Sequence, residues 1–109
     1  MSRPLSKKAA AKVLRRVAAH IKRWPHLFNY WASDIPQKGE RGCVLGRAGA
    51  LMGMQNGSYL GDVARRLRCS DAAAVYDYLR GATGHTNLGR VPHDVMARAV
   101  RELADEVAW

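Results

Sequence analysis

A chain of 109 residues with 48% apolar content suits one domain with a single modest core, and is too apolar for wholesale disorder. Eighteen Lys and Arg against nine Asp and Glu leave a net charge of +9, an excess that repels itself unless nucleic acid, an acidic protein face or anionic lipid offsets it. Two cysteines, Cys43 and Cys69, are few for a disulfide-built secreted domain, and no apolar run reaches signal-peptide or membrane-spanning length; both features predict a cytoplasmic protein with free thiols.

Residues 1–5 read as a flexible arm and residues 6–109 as one helical domain. Ser6 is placed to N-cap a helix that runs to Trp24, where Pro25 stops it. Ala10, Val13, Leu14, Val17, Ile21 and Trp24 recur every three or four residues and form one apolar stripe. Lys8, Lys12, Arg15, Arg16, Lys22 and Arg23 fall on the opposite arc, and no acidic residue precedes Asp34. Residues 25–31 (PHLFNYW) form a packed aromatic turn, and residues 33–42 a loop. In residues 42–54 (GCVLGRAGALMGM), Gly42, Gly46, Gly49 and Gly53 share one helical face. An interior glycine costs a helix about 1 kcal/mol relative to alanine, so the pattern predicts a buried central helix against which another backbone packs closely, or a segment that is partly unwound.

Residues 55–58 read as a turn. Leu60, Val63, Ala64 and Leu67 have helical spacing. Ser70 is placed to cap the next helix, with Asp71 near its positive end, and Gly81 to end that helix near Arg80. Residues 82–91 form a loop. Pro92 suits the first position of a final helix whose Val95, Met96, Ala99, Leu103 and Val107 point inward. Arg98 with Glu102, and Arg101 with Asp105, are spaced for surface pairs. The expected fold is all-α: one compact domain of four to five short helices around the Gly/Ala-rich helix.

The segments VAAHIKRWPHLFNYW, GCVLGRAGALMG, LRCSDAAAVYDYL and VPHDVMARAVREL, in that order, resemble a family of small uncharacterised proteins from bacteria and their phages. Its members carry a helix followed by P-x-x-F-x-x-x-x-W, a Cys-x-x-Gly-x-Ala helix, a turn and a C-terminal helix. The resemblance implies an all-helical fold and a bacterial or phage origin, and assigns no activity. This chain differs in carrying Arg68 where the turn usually holds glycine, and in its very basic first helix.

The first helix is the leading functional candidate. Six cations on one arc suit successive phosphates, whereas a helix built only for solubility mixes signs to gain i,i+4 pairs. Arg65, Arg66 and Arg68 are candidates for further phosphate contacts. Binding flat on anionic lipid is disfavoured, because the apolar stripe is needed for the core. Residues 61–81 resemble a helix-turn-helix, but Arg68 occupies the tight-turn position and Asp71 and Asp77 would oppose phosphate. Trp24, Phe28, Tyr30 and Trp31 are read as core rather than as stacking platforms for bases. Cys43 with His85 or His93 as base and Asp94 as orienter lacks any nucleophile signature, and a small buried thiol explains Cys43 better. The glycine-rich residues 81–90 lack a phosphate-loop pattern and read as a flexible connector. His20, His26, His85 and His93 show no metal-ligand spacing. The expected protein is a non-catalytic binder of nucleic acid or a nucleoprotein, without cofactor, metal or membrane partner. The alternative is a phage-encoded inhibitor that docks on an acidic face of a host defence protein.

Overall fold

The computed structural model describes residues 3–30, 35–37, 39–55 and 57–109. Ser6 opens the fold as the sequence predicts. Its hydroxyl accepts the Ala9 N–H at 3.1 Å and caps α1, Lys7–Arg23. Ala10, Ala11, Leu14, Val17, Ala18 and Ile21 of α1 are buried. The helix ends where Trp24 leaves helical geometry (φ −130°, ψ 60°) while its N–H still donates to the His20 carbonyl. Pro25, which has no backbone donor to continue the ladder, starts the 3-10 turn Pro25–Leu27. Four helices follow: α2 (Val44–Leu51), α3 (Leu60–Arg66), α4 (Ala72–Thr83) and α5 (His93–Ala108), with a 3-10 turn, Leu88–Arg90, before α5. The fold is all-α and compact. Among the described residues the only extended pairing is a single parallel bridge between Phe28 and Gly42.

The dominant helix contact joins α1 to α5, with α2 packed on α3 and α1, and α4 on α5. Ala97, Ala99 and Ala104 of α5 are buried, as are Ala10, Ala11 and Ala18 of α1, and such small side chains let two helix backbones approach. Leu14, Val17 and Ile21 from α1, with Met96, Val100 and Leu103 from α5, fill the rest of that core. No helix among the described residues is long and apolar enough to cross a membrane.

Several boundaries differ from the periodicity reading. The Gly/Ala helix is buried but shorter. Cys43 caps α2 by accepting the Gly46 N–H on Sγ at 3.2 Å, so Gly42 and Gly53 lie outside it. Gly42 instead exchanges backbone hydrogen bonds with Leu27 and Asn29, and Gly53 takes a left-handed φ of 75°. At Gly49 the close approach comes from side chains rather than backbone. A Cβ there would lie 2.9 Å from Ile35 Cδ1 and 3.1 Å from Val63 Cγ2.

Asp71, not Ser70, caps α4, its carboxylate accepting the Ala74 N–H at 2.7 Å; a charged acceptor complements the helix dipole better than a hydroxyl. The helix runs through Gly81 and ends at Gly84, which supplies the left-handed cap (φ 71°). The connector read as flexible is tied down by Arg80 Nε to the Thr86 carbonyl and by Asn87 capping Gly89. Pro92 is the N-cap of α5 rather than its first helical residue. Asp105, expected to pair with Arg101, pairs with Arg15 on α1 at 3.0 Å. Of the segments read from sequence, Trp31, residues 32–34, Lys38 and Asn56 lie outside the described residues, as do Met1 and Ser2.

Leu5, the last residue assigned to the arm, is fastened at both backbone groups. Its N–H donates to the Arg66 carbonyl at 2.8 Å, and its carbonyl accepts the Arg68 guanidinium at 3.0 Å. Arg68 reaches it from a left-handed backbone, φ 66°, which costs a residue with a Cβ about 1–2 kcal/mol. The hydrogen bond offsets part of that cost. Arg68→Ala loses the bond and keeps the strain, whereas Arg68→Gly loses both. The glycine variant is therefore expected to be more stable than the alanine variant by about 1 kcal/mol, measured by urea denaturation. Equal stability would show that the turn is unstrained.

Candidate nucleic-acid interface

Because α1 buries its apolar stripe against α5 and α2, the opposite arc has to face solvent. Lys8, Lys12, Arg15, Arg16, Lys22 and Arg23 are all exposed, and at ~100° per residue they share about a third of the helix circumference. Lys8, Lys12, Arg15 and Arg16 line a shallow groove of about 390 Å³ with Ala19, whose small side chain leaves room between the long basic ones. Arg15 is the member that an internal carboxylate compensates, through Asp105. Among the described residues, Lys8, Lys12, Arg16 and Lys22 have no carboxylate partner, and the Arg23 guanidinium lies 5.1 Å over the Trp24 ring.

The second predicted cluster is used differently. Arg65 forms an ion pair with Asp62. Arg66 is half-buried, with an Nε that has no hydrogen-bond partner among the described residues. Arg68 is bound to the Leu5 carbonyl. These contacts bring the α3–α4 turn beside the start of α1, with Arg65 compensated by Asp62 and Arg68 engaged with the Leu5 carbonyl. The helix-turn-helix reading gains nothing from α4, where Asp71 is a cap and Asp77 holds Arg80 at 3.1 Å.

Carboxylates gather at the far end of α5. Glu102, Asp105 and Glu106 line a pocket of about 430 Å³ with Tyr78 and Trp109. Burial, then the charges of Glu106, Glu102 and Asp105, push the Tyr78 phenol above its usual range. This acidic, aromatic end of α5 lies beside the start of α1, where Asp105 pairs with Arg15 and the Lys7 ammonium reaches the Trp109 carbonyl.

The edge of α1 at His20 carries a cation, Arg47, that the sequence reading missed. His20 titrates below its usual range because of burial first, then the positive charges of Arg47 and Arg16. Arg47 of α2 therefore lies within electrostatic range of the α1 edge that carries Arg16 and His20. Its guanidinium sits 5.5 Å from the Phe28 ring centre, and its Nε is buried without a hydrogen-bond partner among the described residues. Burial also lowers the Arg47 pKa. The available signal was a lone cation inside an otherwise apolar Gly/Ala helix, where an unpaired charge is costly.

The aromatic segment divides. Phe28 is buried, Tyr30 is partly buried with its hydroxyl 2.8 Å from His93 Nδ1, and Trp24, read as core, is 37% exposed. Its exposure follows from the early end of α1, which takes Trp24 off the helical stripe. The Cys43 thiol is buried between the Gly46 N–H and the Tyr76 hydroxyl at 3.7 Å, while His85 bonds to Thr83 and His93 to Tyr30, so none of the three makes a thiol–imidazole hydrogen bond. Both cysteines are free. Among the described residues no three His, Cys, Asp or Glu side chains come together as a metal site requires. No known protein family, curated protein or solved structure matches this chain.

Proposed function

We propose that this protein binds nucleic acid, with the basic arc of α1 contacting successive phosphates. The observation that carries this reading is the run of exposed cations without internal carboxylate partners, Lys8, Lys12, Arg16 and Lys22, on one rigid helix, continued by Arg23. At ~1.5 Å per residue the 17-residue helix is about 25 Å long, comparable to the rise of about seven base pairs. A rigid helix holds the backbone positions of its charges at fixed spacing, so binding has to order the long basic side chains but not the backbone.

If four to five phosphates are engaged, log affinity falls against log salt with a slope of about −4, roughly a 250-fold loss between about 50 and 200 mM salt. Fluorescence anisotropy with labelled duplex DNA and RNA across a salt series measures this. An affinity that stays flat over that range would rule out the phosphate mechanism.

A second reading is a protein that docks on another protein, of which the phage-encoded inhibitor of a host defence protein is one form, and one observation favours protein docking. Trp109 is 93% exposed beside Tyr78 and three carboxylates, a surface suited to protein contact and not to phosphate. Capture of a host protein that survives nuclease treatment would favour it over nucleic-acid binding.

A further inference from the structure

We infer that the α1 edge formed by Arg16, His20, Arg23 and Trp24, with Arg47 from α2, takes an unpaired nucleobase on the Trp24 ring, so that the basic arc engages single-stranded nucleic acid. This rests on the phosphate-binding reading above. Three observations support it. Trp24 is a large exposed aromatic side chain at the end of the cationic helix. Its backbone N–H donates to the His20 carbonyl at 2.7 Å, and its ring meets the His20 imidazole edge-on at 5.0 Å. Arg47, on the packed α2, lies within electrostatic range of His20 on this edge and keeps a buried Nε without a hydrogen-bond partner among the described residues.

An indole costs little ordering when it binds and offers a π-face that any base can stack on. A duplex keeps its bases paired and offers that face nothing but its sugar–phosphate surface. Arg23 now occupies the ring at 5.1 Å. It is an exposed, flexible side chain, so a base that replaces it over the indole frees its guanidinium for the adjoining phosphate. Arg16 and Arg47, whose charges both act on the His20 imidazole, add two further cations along this edge. A basic track ending in an aromatic platform is the combination that single-strand binders use, and a track for duplex alone would have no need of the indole.

The test titrates the protein with an oligothymidylate of about 12 nucleotides and with a duplex of equal length, following anisotropy and intrinsic tryptophan fluorescence. The oligothymidylate is expected to quench the fluorescence of the unaltered protein. Trp24→Leu is expected to weaken oligothymidylate binding roughly ten-fold while changing duplex binding by less than about two-fold. Trp24→Phe is expected to keep most of the affinity and lose the quench, a readout that stands even if the leucine variant folds poorly. Oligouridylate in parallel distinguishes RNA from DNA, with the same Trp24 effect expected on both. If duplex binding is salt-dependent but Trp24→Leu weakens both ligands equally, or neither, the stacking inference is wrong and the phosphate reading stands. If the unaltered protein binds neither ligand, both are wrong.

Discussion

Reversing two charges on α1, with Lys12→Glu and Arg16→Glu together, is expected to weaken nucleic-acid binding by about one hundred-fold at moderate salt. Each substitution removes a phosphate contact and adds a repulsion. A pair of charges at contact distance in water is worth about 1 kcal/mol, so the two sites together cost about 2–4 kcal/mol. The log–log salt slope should become shallower by about 2, one counterion-release step per lost cation. Both side chains are exposed and line the groove beside Ala19, so stability should change by less than about 0.5 kcal/mol. The matched control is Arg98→Glu with Arg101→Glu, at exposed positions on α5, which lowers net charge by the same amount. An equal loss in the control would mean that overall charge, and not the arc on α1, drives binding.

Gly49→Leu should lower the melting temperature by about 12–20 °C. Even a Cβ at this position comes within 2.9 Å of Ile35 Cδ1 and 3.1 Å of Val63 Cγ2, and leucine places three more carbons beyond it. Overpacking a tight core costs about 1–3 kcal/mol for extra methylenes alone. Here α2 must also move away from Ile35 and Val63, opening the contact with α3. The gain in helix propensity returns less than about 1 kcal/mol. A net loss of about 3 kcal/mol in a domain of this size gives the stated shift. Gly49→Ala should lose far less, because the nearest atom is the far end of the Ile35 side chain, which can rotate. A leucine variant that melts with the unaltered protein would show that this face of α2 is open.

Gly49 also marks where pattern reading stops. Glycines spaced for one helical face correctly announced a crowded, buried segment, but two of the four have other roles. Gly42 holds a backbone bridge to the aromatic turn, and Gly53 turns the chain at positive φ. Periodicity counts residues along the chain, whereas those roles depend on the segment that arrives from elsewhere. Trp24 is a similar case. Its spacing continues the apolar stripe of α1, yet the helix ends one residue before it and leaves the ring at the surface. The ends of α4 moved for local reasons: a carboxylate cap outcompetes a hydroxyl at Asp71, and a helix tolerates Gly81 when the left-handed cap is supplied at Gly84.

What the sequence determined on its own is the all-helical class and the two-faced character of the first helix. Both follow from local rules, the 3.6-residue period, the cap at Ser6 and the stop at Pro25, which act within a few residues of one another. Which charges stay uncompensated was decided by the tertiary structure alone. Packing α5 against α1 gives Arg15 to Asp105, the α3–α4 turn ties Arg68 to Leu5, and α2 brings Arg47 to the His20 edge. Charges interact through space and not along the chain, so a count of cations in sequence cannot say which of them remain available to a partner.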